Sequence, residues 1–350
     1  MKDFAIVTCL KNVELSAREP TIVVRAYRYV CSLFNKSKME DTLRNKIRVV
    51  ELFKEEDEIT DPEGIAGKAL NLHIIHLPFQ LDELTAFSKG KISRIEEFIR
   101  EYCTSIKIDN AIFPKMILER NIFQKDISNQ FTGRLLFKAL ISNILDEIYS
   151  KRGFRIKDLD MAIVQGKSTE ELFLYIRLLA SSIKYLTILS EDNESIEKQV
   201  EDFYEETGLS MRVTHDCRSG FKGVNFILNL GDLLPSMKLS SQAVVLNYGD
   251  SSCNRAFGEN IIINGIEVKL PSEMAAKLGE NVLDYYTQLE LAEMMLYKKV
   301  DIHIEDVSID TAEKISKEFT KRAFSISGFV GRRNVLKTRD IKVCTDEDSA

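Results

Sequence analysis

The stretch that decides the fold is "DMAIVQGKSTEEL", residues 160–172. It opens on an apolar run typical of a buried strand, continues through a polar turn at residues 165–169, and then enters a helix at Glu170. A strand, a turn and a helix in this order often surround a glycine-rich nucleotide loop. Because Gly166 is the only glycine of the stretch, the sequence indicates the surrounding fold more clearly than it indicates a cofactor.

Short β-rich runs recur downstream and alternate with helical segments. One predicted crossover helix covers residues 170–182, and a second opens near Asn193 or Ser195 and stops at Gly208. Alternation of this kind predicts a parallel sheet, because parallel neighbours require a crossover connection. The predicted strands are 160–164, 185–189, 210–214, 224–230 and 243–248.

The composition excludes several classes of protein. The 350 residues are 44% hydrophobic and 29% charged, the balance of a globular chain. No apolar run reaches the roughly 20 residues of a membrane-spanning helix. The opening "MKDFAIVTCL" lacks the layout of a secretory signal, so we expect a cytoplasmic protein. A net charge of -6 argues against broad nucleic-acid binding, while oligomerisation is left open.

Metal binding is not expected. The six cysteines are scattered without a CxxC pair, which favours reduced thiols over a zinc site or a disulfide framework. His73 and His76 in "HIIH" invite a metal interpretation, but the flanking isoleucines and the following Pro78 favour a strand. Residues three apart on a strand face opposite sides, so we assign both histidines a structural role.

The predicted fold class is α/β, with a Rossmann-like parallel sheet domain and an N-terminal α/β domain. The N-terminal domain is expected over residues 1–133, without a legible topology, and a linking helix over 134–153. The Rossmann-like domain follows over 154–270. Closing helices over 271–327 are expected to pack back on the N-terminal domain, and 328–350 form a mobile tail.

The order of these segments resembles the shikimate-dehydrogenase-like Rossmann proteins, and within them the long-chain fatty acyl-carrier-protein reductases that form aldehydes. The resemblance covers about residues 3–298, through order and hydrophobic pattern rather than identical residues. It rests on "FAIVTCL" (4–10), "GIAGKAL" (64–70), "FTGRLLFKAL" (131–140), "DMAIVQGKSTEELFLYIRLLA" (160–180), "LPSMKLSSQAVVLNYGD" (234–250), "INGIEVKLP" (263–271) and "LELAEMML" (289–296). It implies a Rossmann fold and a nicotinamide cofactor.

This sequence differs from that family at two places that carry the family's chemistry. Its three loop glycines correspond here to Gln165, Ser168 and Glu171, and a shift by one residue recovers only Gly166. Those glycines permit the tight turn, the approach of backbone amides to the pyrophosphate, and close helix packing. The family's acyl-accepting cysteine corresponds to Glu290, three residues before Glu293, and a carboxylate does not replace that thiolate.

The candidate contacts lie beyond the carboxyl ends of the predicted strands, where ligands of such sheets bind. The free backbone amides at the start of the helix that follows residue 169 could bind an anion together with Lys167. Glu191, an acid after the second strand, could bind an adenosine ribose. The cofactor-binding candidates are Gln165, Gly166, Lys167, Ser168, Thr169 and Glu191. The cleft candidates are Thr132, Gly133, Asn229, Asn247 and Asp250.

Each candidate also has a plain structural interpretation, which we favour. Ser168 or Thr169 caps the helix with help from Glu171. Glu191 and Asp192 belong to an ordinary solvated turn, and the Gly-Asp pairs after two late strands are plain turns. No residue is assigned a catalytic role.

Two functional hypotheses follow. The first is a degenerate Rossmann-like protein that binds a small ligand or a protein partner without hydride transfer. The second is an NAD(P)-dependent oxidoreductase with an atypical loop, acting on a small acid or acyl substrate. The sequence does not identify a cofactor, and the missing glycines argue against binding of NAD or NADP. We therefore favour a protein that is not an active dehydrogenase.

Overall fold

The computed structural model describes residues 3–10, 46–53, 70–108, 111–123, 131–191, 193–231, 239, 243–249, 260–300, 308–331, 335–337 and 341. They form two compact units, each discontinuous in sequence. The first contains residues 1–132 and 271–301, and the second contains 133–270 and 302–350. Within the described residues, every helix is too short or too polar to cross a bilayer.

Strands and helices alternate through most of the chain. The first part of the first unit has β1 (Phe4–Leu10), β2 (Ile47–Phe53), β3 (Leu70–Gln80), α1 (Leu81–Thr85), α2 (Lys89–Ser105), β4 (Ala111–Ile112) and α3 (Lys115–Glu119). The second unit begins with α4 (Arg134–Ala139), α5 (Ile141–Ile148), β5 (Met161–Val164), α6 (Thr169–Ala180), β6 (Tyr185–Leu189), α7 (Asn193–Thr207), β7 (Ser210–Thr214), α8 (Cys217–Gly220), β8 (Phe226–Asn229), β9 (Val244–Asn247), β10 (Ile261–Ile263) and β11 (Gly265–Lys269). The remainder has α9 (Ser272–Leu278), α10 (Glu280–Tyr285), α11 (Gln288–Val300), α12 (Ile309–Lys321), β12 (Ser325–Val330) and β13 (Val335–Leu336).

The first unit is built on a mixed sheet of order β2-β3-β1-β4. β1 is parallel to β3 and β4, whereas β2 is antiparallel to β3. Nearly all of β1 is buried, which is expected of a central strand covered on both faces. Tyr286, which follows α10, is hydrogen-bonded to this sheet. Its hydroxyl lies 2.8 Å from the carbonyl oxygens of Val7 and Ile112.

The two histidines of β3 have separate partners. His73 Nδ1 lies 2.7 Å from the Tyr102 hydroxyl, and its Nε2 lies 3.5 Å from Asp3. His76 Nδ1 instead lies 2.6 Å from the Thr8 hydroxyl and accepts from Asn281 at 3.1 Å. Burial, with Arg48 and Lys46 nearby, lowers the pKa of His76 and favours its neutral form.

The second unit contains a parallel sheet of order β10-β9-β8-β5-β6-β7. Counted from β5 along the chain, this is the order 3-2-1-4-5-6, with the reversal between β5 and β8. The second unit therefore has the Rossmann fold, and the predicted α/β fold class is confirmed. Its core includes Ala162, Val164, Leu189, Phe221, Val224, Ile227, Ala243, Val245 and Ile262.

The helix after the opening stretch is amphipathic. Its buried residues are Leu172, Tyr175, Ile176 and Leu179, which lie on one face of α6. The predicted linking helix at 134–153 is instead two helices, α4 and α5, followed by a 3₁₀ turn at Ser150–Arg152. Gly153 ends that turn with a φ of 83°, a backbone conformation that glycine adopts readily.

The predicted closing segment, 271–327, is divided between the units. Residues 271–301 belong to the first unit, whereas α12 belongs to the second. α12 buries Ala312, Ile315 and Phe319, and this face packs against α4 and α6. The predicted tail also begins in ordered structure, because Gly328–Val330 belong to β12, which pairs with β11 and β13.

The buried Tyr286 hydroxyl gives a test of the first unit. Replacing Tyr286 with Phe leaves two buried carbonyl oxygens without this donor, so we expect a loss of about 1–3 kcal/mol in the free energy of unfolding. Chemical denaturation followed by circular dichroism measures it. Tyr204, which is 56% exposed, supplies the control, because Tyr204→Phe should leave the midpoint unchanged. Equal effects of the two substitutions would contradict this role for Tyr286.

Candidate functional site

The candidate site lies at the carboxyl ends of β5, β8 and β9, where the strand order reverses. In an open parallel sheet the crevice at such a reversal is the place where ligands bind. Gln165 and Gly166 follow β5, Asn229 ends β8, and Asn247 ends β9. The structure therefore brings these four predicted residues to one edge of one sheet, which we call the carboxyl edge.

The backbones of the three loops at the carboxyl edge touch one another. A Cβ on Gly166 would come closer than 3.0 Å to the carbonyl oxygen of Leu230, and one on Gly231 would meet that of Gln165 equally closely. A Cβ on Gly249 would in turn meet the carbonyl oxygen of Gly231. Gly166 is thus required by the contact between the loops after β5 and β8, whether or not a ligand binds.

The start of α6 is capped by its own side chains. The Ser168 hydroxyl accepts from the backbone N–H of Glu171 at 3.1 Å, as in an ordinary N-cap. Gln165 Nε2 donates to the Thr169 hydroxyl at 3.4 Å. Lys167 is exposed. One of the amides that a pyrophosphate could meet at this helix start is already bonded to Ser168.

Glu171, which the resemblance aligns with the third loop glycine, is paired with a cation of the same unit. Its carboxylate accepts from Lys138 of α4 at 2.6 Å, in a pair whose side chains are 30% and 19% exposed, respectively. Glu171 therefore does not fold back onto the cap, as a capping box would require. Instead it joins the start of α6 to α4.

Three asparagine side chains form a hydrogen-bonded row across the carboxyl edge. Asn229 Nδ2 donates to Asn247 Oδ1 at 2.7 Å, and Asn247 Nδ2 donates to Asn264 Oδ1 at 2.9 Å. Asn229 Oδ1 also accepts from the N–H of Gly231 at 3.2 Å. Asn229 is fully buried, so these bonds satisfy amide groups that water does not reach.

The loop after β9 is held from α4. Arg134 donates to the carbonyl oxygen of Tyr248 at 2.8 Å, and the Tyr248 hydroxyl donates to that of Phe137 at 2.9 Å. Burial raises the pKa of Tyr248 well above its usual value, so the hydroxyl keeps its proton and remains a donor. α4 therefore fixes one end of the carboxyl edge.

The remaining candidates are placed less centrally. Glu191 is exposed, two residues after β6. Thr132 ends the first unit, and Gly133 begins the second, where it precedes α4 with a φ of 77°. Asp250 and Asp192 lie outside the described residues, as does most of the predicted tail beyond residue 331.

Glu290, which the resemblance aligns with an acyl-accepting cysteine, has a structural role in the first unit. Its carboxylate accepts from the N–H of Thr287 at 2.7 Å, and the Thr287 hydroxyl accepts from the N–H of Glu290 at 3.2 Å. These reciprocal bonds form a capping box at the start of α11. Glu293, one turn later, is completely buried.

Sequence reasoning missed Asn264 and Lys138 as parts of the edge. A signal for the first was present, since "LNLG", "LNYG" and "ING" repeat an asparagine near the end of successive apolar runs. Asn264 is the third of this series. No pattern within a short window could pair Lys138 with Glu171, because 33 residues separate them.

Comparisons with known proteins do not assign a family. No family model matches the chain, and no curated protein matches it. Among solved structures, shikimate 5-dehydrogenase from Listeria monocytogenes, in complex with shikimate and NAD, aligns over 90% of this chain and 96% of its own, at 9% identity and a TM-score of 0.29. L-tryptophan dehydrogenase from Nostoc punctiforme aligns over 91% and 80%, at 10% identity and a TM-score of 0.27.

A third similar structure matches a smaller part. Δ1-pyrroline-2-carboxylate reductase from Thermococcus litoralis, in complex with NADH and L-proline, aligns over 35% of this chain and 41% of its own, at 10% identity and a TM-score of 0.27. The chain thus spans less than half the length of that enzyme. Similarity at this level establishes no activity for the chain, and the fold rests on its own strand order.

The contact between the loops can be tested at Gly231. Gly231→Ala places a methyl group against the Gln165 carbonyl, so we expect the unfolding free energy to fall by about 1–3 kcal/mol. Gly90 in α2 has no atom within 4 Å of its hypothetical Cβ, so Gly90→Ala should be neutral or stabilising by up to about 1 kcal/mol. Thermal denaturation of the two variants checks the contrast. An unaltered Tm for Gly231→Ala would show that the loops are not in contact.

Proposed function

We propose that the Rossmann unit binds a small ligand at the carboxyl edge and does not transfer hydride to or from a nicotinamide cofactor. The observation that carries this proposal is the occupied start of α6. Ser168 takes up an amide there, and Glu171 and Lys138 form an ion pair where the family has a glycine. A dinucleotide would have to displace groups that already satisfy one another, and this opposes its binding.

The chemistry of the edge supports a small polar ligand. Its described groups are loop backbones and the carboxamide of the partly exposed Asn264, which can donate as well as accept hydrogen bonds, whereas Asn229 is buried and already bonded. The close contacts among Gly166, Gly231 and Gly249 and the hydrogen-bonded asparagine row hold these groups in place before a ligand arrives. Such preorganisation lowers the entropy lost on binding.

An NAD(P)-dependent oxidoreductase is the second candidate, and two observations favour it. The strand order is that of dinucleotide-binding sheets, and Glu191 follows β6, where an acid would contact the adenosine ribose. This candidate requires the pyrophosphate to lie across Ser168 without the usual close backbone approach.

Thermal denaturation with each nicotinamide cofactor separates the two candidates. The Tm of the full chain is measured with NAD⁺, NADH, NADP⁺ and NADPH at millimolar concentration, and our proposal expects no shift. A ligand at one hundred times its Kd would stabilise the native state by about 2.7 kcal/mol, which such a scan detects. Stabilisation by any of the four that Glu191→Ala weakens about tenfold would overturn the proposal.

A glycine variant adds a second test. Ser168→Gly combined with Glu171→Gly restores two glycine positions, and Lys138→Met in the same protein avoids leaving a half-buried cation without its partner. If the side chains at these positions exclude the dinucleotide, the triple variant should gain cofactor binding. Lys138→Met alone is the matched control and should gain none. Binding by the unaltered chain equal to that of the triple variant would contradict the exclusion.

A further inference from the structure

The second unit contains a groove away from the start of α6. Its volume is about 590 Å³, within the range of small-molecule sites. Three segments form its walls: the junction of α4 and α5, the carboxyl end of α6, and one face of α12. All of these walls belong to the same compact unit. The proposed carboxyl-edge site shares none of the lining residues.

Hydroxyl groups dominate one side of the groove. Ser142 contributes from α5, and Ser181 and Ser182 follow the end of α6. None of these three hydroxyls forms a hydrogen bond with another residue in the described part of the chain. Each can therefore both donate to and accept from a bound hydroxyl group without breaking an existing bond. The last carbonyl oxygens of α6 add acceptors on the same side.

The opposite side of the groove carries cationic groups. Lys317 and Lys321 are one turn apart on α12, and Glu313 precedes Lys317 by one turn. Lys317 forms no ion pair with a described residue, and Lys321 has only a distant partner, since its ammonium lies 3.9 Å from Glu318. These two ammonium groups can receive an anion without losing a close carboxylate.

The face of α12 between these residues is fixed. The Ser316 hydroxyl donates to Asn143 Oδ1 at 2.7 Å, and Asn143 Nδ2 donates to the Thr320 hydroxyl at 3.3 Å. Asn143 of α5 thus joins α5 to α12 at two residues that line the groove. The two lysines are presented from a helix whose position is set by both packing and hydrogen bonds.

We propose that this groove binds a phosphorylated polyol such as a sugar phosphate. The hydroxyl-bearing part would lie against the serines and the end of α6, where carbonyl oxygens accept but repel anions. The phosphate would then lie against Lys317 and Lys321, where the positive charge is. The α12 wall also carries the Glu313 carboxylate, one turn before Lys317 and two turns before Lys321, so the phosphate would lie on the side of Lys317 that faces Lys321.

Isothermal titration of the full chain with three probes tests the ligand class. Glucose 6-phosphate should bind with one site per chain, and glucose and orthophosphate should each bind at least tenfold more weakly. Equal affinity for orthophosphate would overturn the polyol part of the proposal, and equal affinity for glucose would overturn the phosphate part. Absence of glucose 6-phosphate binding up to 10 mM (about −2.7 kcal/mol by the usual conversion) would overturn it entirely.

Variants locate the binding. Lys317→Ala should weaken glucose 6-phosphate about tenfold or more, because it removes a charge-assisted bond, and Ser182→Ala should weaken it less. Lys314→Ala, an exposed lysine of α12 outside the groove, is the matched control and should leave the affinity unchanged. Lys167→Ala should also leave it unchanged, which separates this groove from the carboxyl edge.

The same variants exclude a purely structural role for Lys317. A lysine that only complements the end of α6 would change the Tm of the free protein when replaced, without changing the Kd. That pattern, or loss of affinity in Lys167→Ala instead of Lys317→Ala, would overturn the assignment. Circular dichroism of each variant shows that the fold is retained.

Discussion

The close approach of the loop backbones after β5 and β8 is the constraint on which the carboxyl edge depends. Where the strand order of a parallel sheet reverses, the two central strands send their crossovers to opposite faces, and a crevice opens between them. In this chain Gly166 and Gly231 let the backbones meet there instead. A side chain at either position would separate the loops, so both glycines are explained by packing alone.

The polar groups of the edge follow from this contact. With the loops in place, Asn229 is completely buried, and its amide must find partners inside the protein because water is excluded. Asn247 and the Gly231 backbone supply them. The ion pair of Glu171 and Lys138 forms for a similar reason, because a partly buried carboxylate is stabilised by a nearby cation. The edge is therefore largely satisfied by its own residues.

The sequence predicts the elements of the Rossmann unit well, because their signals are local. The strands at 185–189 and 210–214 agree with β6 and β7, and α6 lies within one or two residues of its predicted bounds. The capping roles of Ser168 and Glu290 are local too. The pattern predicts the first. For Glu290 the resemblance points only to an aligned cysteine, although Thr287, three residues earlier, completes a capping box.

What the sequence could not supply is long-range pairing. Lys138 and Glu171, or Asn247 and Asn264, meet only because the sheet and its helices bring separate segments together. The division of residues 271–327 has the same cause. Both α11 and α12 have buried residues, and periodicity alone does not say which unit covers them. The amphipathic pattern shows that a helix has a buried face, but only the contacts in the structure show which unit that face packs against.

α6 connects the two regions to which we assign ligands. Its first residues belong to the carboxyl edge, and its last ones border the groove, at opposite ends of a helix of 12 residues, about 18 Å long. The amino end of such a helix favours anions and the carboxyl end disfavours them. At the amino end, however, this chain has placed a serine cap and an ion-paired glutamate. Near the carboxyl end, α12 brings two lysines. The partial positive charge at the amino end of α6 is thus partly taken up by the Ser168 cap and by Glu171. In the groove, the positive charge comes from α12 instead. Substitutions in one region can therefore be made without changing the other.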